Sequence, residues 1–273
     1  MASTVAFSHA TSFCGAVWDP VVSGIVGKHL VWDQLGHGRA QSIAHPFDWW
    51  SFGADVAKRV SEVSGPLVGV GHSMGGTALV MAELLTPGTF DYLLLIEPIL
   101  LPPPFVARDS LVARSAEKRR ATFPSLEEAR NHLRPKQPFL AWDEAAFAGY
   151  LRDGFRPTGQ GSEVTLACAP RDEAEIYRSA FAHGAWERLG DVKVPTLVMG
   201  GALSDTHNEI VIRELASRFP SAGIEIVPGA GHFLPMEKPG LVADRVRRLQ
   251  ALEGSQHSIE DDPHAQENPV NQM

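Results

Sequence analysis

Cysteine is scarce in this sequence. Cys14 and Cys168 are the only two, far apart and in no metal-ligand spacing. That excludes a disulfide-stapled scaffold and a cysteine-based metal site, and it fits a reducing compartment, so a cytoplasmic location is expected. Positive charge is also in deficit: 24 Lys and Arg stand against 32 Asp and Glu, a formal net charge of -8 at pH 7. Such a surface repels polyanions, so neither nucleic acid nor an anionic membrane is expected as a main partner. No apolar run reaches membrane-spanning length. Residues Met1 to Phe7 carry no basic region and no long apolar core, and so do not read as a secretory signal. There is no internal repeat. From 253 to 273 the chain also lacks apolar periodicity, and this polar stretch is expected to be a disordered tail.

What remains is 273 residues of ordinary globular composition, 44% hydrophobic and 21% charged, enough for one large α/β domain with an insertion. The stretch that organises it is Leu67-Val68-Gly69-Val70-Gly71-His72-Ser73-Met74-Gly75-Gly76-Thr77-Ala78-Leu79-Val80. A short apolar run before Gly71 predicts a buried strand, and Ala78, Leu79, Met81, Ala82, Leu84 and Leu85 predict a helix after it. Ser73 sits at the corner between them as the centre of G-x-S-x-G. A serine on so sharp a turn is held exposed, and glycines on either side remove the Cβ atoms that would collide there. The bland alternative, a glycine-rich turn that merely joins strand to helix, lacks the need for this strand-corner-helix context.

Along the chain, Thr4 to Phe7, His29 to Trp32, Tyr92 to Ile96, Thr196 to Gly200 and Ile224 to Val227 read as further strands. Helical spacing appears over Trp50 to Val63, Ile210 to Phe219 and Leu241 to Leu252. This alternation predicts a mostly parallel, doubly wound sheet covered on both faces. The rhythm breaks at Leu101-Pro102-Pro103-Pro104 and resumes after Asp191, so the core is expected over 1–100 and 192–252, with a helical cap inserted over 101–191. Its helices are expected near Leu111 to Arg120, Leu126 to Leu133, Asp143 to Arg152 and Glu173 to Phe181. An insertion there lies at the carboxyl ends of the strands, where such sheets bind ligands.

A serine hydroxyl needs a base in hydrogen-bond reach, and the base needs a group that holds its tautomer. His232, in Gly231-His232-Phe233 just after the last strand, is the candidate base. His72 is expected to point away from the neighbour it would need to activate, and His207, His257 and His264 to be solvated. Two carboxylates follow strands between Ser73 and His232. Asp205 is preferred as the acid because its loop is nearer in strand order to that of His232, and Glu97 is the alternative acid. Asp172, Glu173 and Glu175 read as solvated residues of the insertion. Acyl transfer also needs an oxyanion hole, for which the backbone N–H groups of Met74 and Thr11 are the candidates. His9 is expected to order the loop that carries Thr11.

With His9-Ala10-Thr11, Asp33-Gln34-Leu35-Gly36-His37-Gly38-Arg39, Gly71-His72-Ser73-Met74-Gly75, Ser204-Asp205 and Gly231-His232 in view, the chain resembles the α/β-hydrolase fold superfamily from Val5 to Leu252. The resemblance implies a serine hydrolase with Ser73 as nucleophile, His232 as base and Asp205 as acid, acting without metal or cofactor on a small-molecule substrate. It departs from the family in two places. The oxyanion loop has His9-Ala10 where His-Gly is usual, and the usual opening antiparallel hairpin is missing, so either the sheet is trimmed at one edge or the natural start lies upstream.

The leading reading is a carboxylesterase on a small ester-like substrate, working through an acyl-enzyme. The same triad could hydrolyse a carbon–carbon bond in a diketone or support perhydrolysis, and the fold could also serve a non-catalytic ligand-binding protein. Phe105, Phe139, Trp142, Phe147, Tyr150 and Phe181 are candidate pocket-lining residues, with packing of the cap's own core as the plainer role of each. Substrate and oligomeric state stay open.

Overall fold

The computed structural model describes residues 3–102 and 111–260. Its main sheet has six strands: β1 (Thr4–Ser8), β2 (His29–Val31), β3 (Leu67–His72), β4 (Tyr92–Ile96), β8 (Thr196–Gly201) and β9 (Ala222–Val227), in the order β2-β1-β3-β4-β8-β9. Every pairing in it is parallel. Burial on both faces is written into the alternation of side chains. Val5, Phe7, Val68, Val70, Leu94 and Ile96 enter one core, while Ala6, Leu67, Leu93, Leu95 and Val198 enter the other. On the second face lie α2 (Trp50–Val60), α3 (Met74–Leu85) and α8 (Glu209–Ser217), through Phe52, Val56, Leu79, Met81, Ile212 and Leu215. On the first lie α1 (Asp19–Val22) and α10 (Pro239–Glu260), through Val21, Val242 and Val246.

Register decides where the functional loops meet. Ser8 pairs with Gly71, His72 with Ile96, and Ile96 with Met199. The carboxyl ends of β1, β3, β4 and β8 therefore lie in one row. Strand order reverses between β1 and β3, because β2 lies on one side of β1 and all later strands on the other. Such a switch point opens a crevice at the strand ends.

Between β4 and β8 lie α4 (Leu111–Lys118), α5 (Leu126–Leu133), α6 (Glu144–Asp153) and α7 (Pro170–Ser179), with β5 (Thr122–Phe123), β6 (Phe155–Pro157) and β7 (Val164–Leu166) among them. The expectation of a purely helical insertion is corrected here, since β5, β7 and β6 form a three-stranded antiparallel sheet. These strands are two or three residues long, too short to show a period-two pattern. Local chemistry sets the helix starts. Ser125 accepts the Glu128 N–H ahead of α5, Asp143 accepts those of Ala145 and Ala146 ahead of α6, and Pro170 opens α7.

The last helix continues to Glu260, past its expected end at Leu252, while 261–273 fall outside the described residues. Pro103, Pro104 and Phe105 also lie outside them. The short α9 (Leu234–Glu237) completes the helices. Among the described residues no helix is long and apolar enough to cross a membrane.

Candidate active site

Ser73 connects β3 to α3 with φ 54° and ψ -120°, a left-handed backbone that a non-glycine residue adopts only under constraint. The turn is pinned: the Ser73 N–H donates to the Ile96 carbonyl at 2.9 Å, and the Ser73 carbonyl accepts the Thr77 N–H at 3.2 Å. The flanking glycines have the predicted steric reason. A Cβ on Gly71 would stand 2.6 Å from the Gly76 Cα, and one on Gly75 would stand 2.2 Å from the Ser8 carbonyl oxygen. Without that Cβ, the first turn of α3 presses directly on the loop after β1.

His232 follows β9, and its loop is tied to the serine corner. The His72 Nε2–H donates to the His232 carbonyl at 2.8 Å, and the two rings lie 4.9 Å apart. His72 thus holds the loop of the candidate base. Burial keeps its imidazole neutral, pushing its pKa down to about 3, with the nearby His232 acting in the same direction.

The carboxylate that meets His232 is Glu97, which ends β4. His232 Nδ1 lies 2.6 Å from Glu97 Oε2. The same oxygen accepts the Ser204 hydroxyl at 2.7 Å, and Oε1 accepts the Gly201 N–H at 2.8 Å. Burial alone would raise the pKa of this fully buried carboxyl, but His207, the His232 hydrogen bond and charge, and Ser204 together outweigh it and hold Glu97 at about 2. It is ionised across the physiological range and can fix the proton of His232 on Nδ1, leaving Nε2 free as a base.

Asp205 does not take this position. It is exposed, and its carboxylate meets the neighbouring Thr206 hydroxyl at 3.4 Å. The reason is the turn after β8: Ser204 Oγ donates to Glu97 and accepts the N–H groups of Thr206 and His207, so the loop aims Ser204 and His207 inward and Asp205 outward. His207, expected in solvent, is instead fully buried, with Nδ1 3.6 Å from Glu97 Oε2 and its ring parallel to His232 at 6.2 Å. A buried position here had one sequence signal, the spacing from Ser204, which places both within the same tight turn.

The two oxyanion candidates lie beside the serine corner and on the loop after β1. Among the described residues, the backbone N–H groups of Met74 and Thr11 donate to no protein group, and both residues are buried. The Thr11 loop is held by two neutral histidines. His9 accepts the Gln34 N–H on Nε2 at 2.9 Å, so its Nδ1–H donates to the Ala10 carbonyl at 2.8 Å. His37 accepts the Ser12 N–H on Nε2 at 3.0 Å and donates to the Leu35 carbonyl at 2.9 Å. Burial lowers both pKa values, that of His37 to about 3. His9 therefore orders the loop, as its place in the sequence implied.

The insertion reaches this loop through a buried ionic contact. Glu173, expected in solvent, is 4% exposed. It accepts the Ser12 hydroxyl at 2.5 Å and binds Arg119 through both carboxylate oxygens, at 3.0 and 2.8 Å. The candidate lining aromatics Phe139, Trp142, Phe147 and Tyr150 are buried and pack on one another, with Phe139 stacked on Tyr150 at 5.5 Å. Phe181 packs at the edge of the other core. Phe13 and Phe233 extend the aromatic cluster from the insertion to His232: Trp142 lies 6.0 Å from Phe233, which lies 5.0 Å from His232.

A parallel sheet with a strained serine after β3, a buried carboxylate at the end of β4 and a histidine after β9 that meets it defines an α/β hydrolase. Residues 5–245 match the model of the alpha/beta hydrolase family, and the chain belongs to that family. It is 27% identical over 214 residues to the abhydrolase domain-containing protein AKT2 of Alternaria alternata, a match covering 66% of this chain and 80% of that protein. It is 23% identical over 180 residues to the esterase YbfF of Escherichia coli, covering 66% and 65%. Among solved structures, the peroxisomal alpha-beta-hydrolase Lpx1 of Saccharomyces cerevisiae matches with a TM-score of 0.78 at 19% identity, over 99% of this chain and 81% of that one.

Proposed function

We propose that the protein is a serine hydrolase in which Ser73, His232 and Glu97 form the triad, and that it cleaves a small carboxylic ester through an acyl-enzyme. The observation that carries this reading is the 2.6 Å contact of His232 Nδ1 with the buried Glu97, on a loop that His72 binds to the serine corner. Ser73 Oγ attacks the ester carbonyl carbon while its proton passes to His232 Nε2. The oxygen that gains charge is received by the Met74 and Thr11 N–H groups. His232 then protonates the departing alcohol. A water molecule, deprotonated by the same nitrogen, attacks the acyl carbonyl and returns Ser73 with the acid product. Throughout, Glu97 stays ionised and stabilises the imidazolium as it forms.

The ester assignment takes support from the esterase among the relatives, and from the Met74 and Thr11 N–H groups that donate to no protein group among the described residues. The insertion serves in this reading as a cap over the strand ends that selects the substrate. Both cysteines are buried and free, in keeping with a reducing compartment such as the cytoplasm. The test is Ser73→Ala against a panel of p-nitrophenyl esters, lactones and vinylogous diketones, with a fluorophosphonate probe as a second readout. Loss of on the order of 10⁴-fold or more in ester turnover, together with loss of labelling, is expected. Labelling that persists in the variant would remove Ser73 as nucleophile, and a wild type that is neither labelled nor active would favour a ligand-binding protein.

A further inference from the structure

We propose that Glu97, His207 and His232 form a site for a divalent transition-metal ion of the zinc class, and that the bound ion switches the hydrolase off. One donor atom from each of the three residues lies within 4.8 Å of the others. Two nitrogens already converge on Glu97 Oε2, His232 Nδ1 at 2.6 Å and His207 Nδ1 at 3.6 Å. Donors about 2.0–2.1 Å from a tetrahedral ion stand roughly 3.3 Å from one another, so shifts of about an ångström complete the geometry. Two imidazoles and a carboxylate suit zinc, cobalt or nickel better than magnesium or calcium, and three protein ligands leave a fourth position for water.

A second observation points to a ligand at the same place. His207 is fully buried, and neither of its ring nitrogens has a hydrogen-bond partner. Buried polar groups left in that state cost free energy, and coordination gives one of the two a strong partner. The surroundings also support the ligands from outside. Gly201 N–H holds the other Glu97 oxygen, and Ser204 Oγ fixes the backbone of His207.

Inhibition follows from the tautomer. In the active arrangement the His232 proton is on Nδ1, donated to Glu97, and the lone pair is on Nε2, available to Ser73. Coordination through Nδ1 uses that nitrogen's lone pair, so the ring proton must move to Nε2. The ring neither gains nor loses a proton, but Nε2 now carries hydrogen and cannot accept the Ser73 proton. Metal and working base therefore exclude each other. The ion sits on the Glu97 side of the imidazole, so it lowers the maximal rate and leaves KM unchanged. The binding part stands on these three residues alone, while the inhibition part rests on the proposed hydrolase reading.

The experiment uses the full chain freed of metal with EDTA. Cobalt(II) is titrated into wild type, Ser73→Ala, His207→Asn and the volume-keeping His207→Phe, and the visible absorption of the ion is recorded. Wild type and Ser73→Ala are expected to give one tetrahedral-type spectrum each, resistant to excess Mg²⁺, and both His207 variants to lose it. Loss of an outer hydrogen-bond partner typically weakens a metal site 10–100-fold, so loss of a ligand should weaken this one by about 100-fold or more. In the ester assay Zn²⁺ should lower the wild-type maximal rate reversibly, and the His207 variants should need at least ~100-fold more Zn²⁺ for the same fractional loss from their own metal-free rate. X-ray absorption of the zinc-bound wild type, which needs no variant to fold, should show imidazole ligands. No cobalt spectrum in wild type, an imidazole-free shell, or His207 variants as sensitive as wild type would overturn the proposal. Cobalt binding by a wild type with no esterase activity would instead sink the hydrolase reading and leave the metal site standing.

Discussion

Three non-glycine residues among those described hold a left-handed backbone, Ser12, Ser73 and Glu97, with φ of 78°, 54° and 46°. Each follows a strand of the main sheet, β1, β3 and β4, at the same edge. Conformations of this kind cost of order 1–3 kcal/mol each and persist where surrounding contacts fix them. Here Ser12 N–H is held by His37, Ser73 N–H by Ile96 and Glu97 N–H by Met199. At this scale the decisive comparison is between two carboxylates. Glu97→Gln is expected to lower kcat on the order of 10⁴-fold, because the amide can offer a donor to His232 and so favour the wrong tautomer. Asp205→Asn should change kcat less than about threefold, since its carboxylate faces solvent. Steady-state assays of both variants on one ester at one pH decide the matter. A crippled Asp205→Asn beside a normal Glu97→Gln would reverse the assignment.

Among elements, the contact that matters most joins the insertion to the oxyanion loop. Glu173, on α7, bridges Ser12 and Arg119 while almost fully buried. Breaking one side of such a pair strands a charge, whereas removing both partners does less harm. Glu173→Leu should therefore destabilise the fold by ~3 kcal/mol, and adding Arg119→Met should recover part of that loss. Because Ser12 adjoins Thr11, the single variant should also lower kcat while KM changes little. Urea denaturation and ester kinetics on the two variants measure both effects, and additive losses would show that the two side chains do not act as a pair. The elbow makes the companion case. Gly75→Ala places a Cβ against the Ser8 carbonyl, a backbone atom that cannot swing away. Loss of folded protein, or a fall of several degrees in Tm with a large drop in kcat, is the expected result.

The whole molecule should be acid-sensitive for a reason separate from catalysis. His37 and His72 are buried neutral, with pKa values near 3, against about 6.5 in an unfolded chain. Below pH ~6.5 the unfolded chain takes up protons that the fold refuses. Their stabilisation is therefore complete above ~6.5 and is lost as pH falls toward 3, at about 1.4 kcal/mol per pH unit for each group. Glu97, held at about 2, adds a second loss of the same sign between about 4.5 and 2. Tm measured from pH 8 to pH 4 should fall steadily below 6.5, and His37→Gln, if folded, should show a shallower fall. A flat profile would mean that these imidazoles are not buried in solution as they are here.

The parallel core was readable along the chain because its central strands are short apolar runs bounded by turn residues, and α2 and α8 show apolar residues at helical spacing. Leu67–His72, Tyr92–Ile96 and Leu126–Leu133 emerge within a residue of where periodicity and punctuation place them. Ser73 and its glycines were legible for the same local reason: a backbone forced into a tight corner imposes its demands on immediate neighbours. The order of the strands was another matter. Whether the loop after β4 or the one after β8 turns a carboxylate toward His232 depends on the handedness of single residues at the strand ends, and on a serine that binds its own loop. Asp205 and Glu97 look equivalent until Ser204 is seen to aim its turn. Glu173 carries a charge that sequence alone assigns to solvent, because burying it is favourable only when partners arrive from distant parts of the chain, here the β1 loop and α4's trailing Arg119; His207 is buried by the turn that Ser204 aims inward. Local patterning determined the strands, the helices and the candidate nucleophile. Long-range packing alone decided which carboxylate meets His232, the buried second histidine and the seat of the insertion, since each depends on contacts between residues the chain holds far apart.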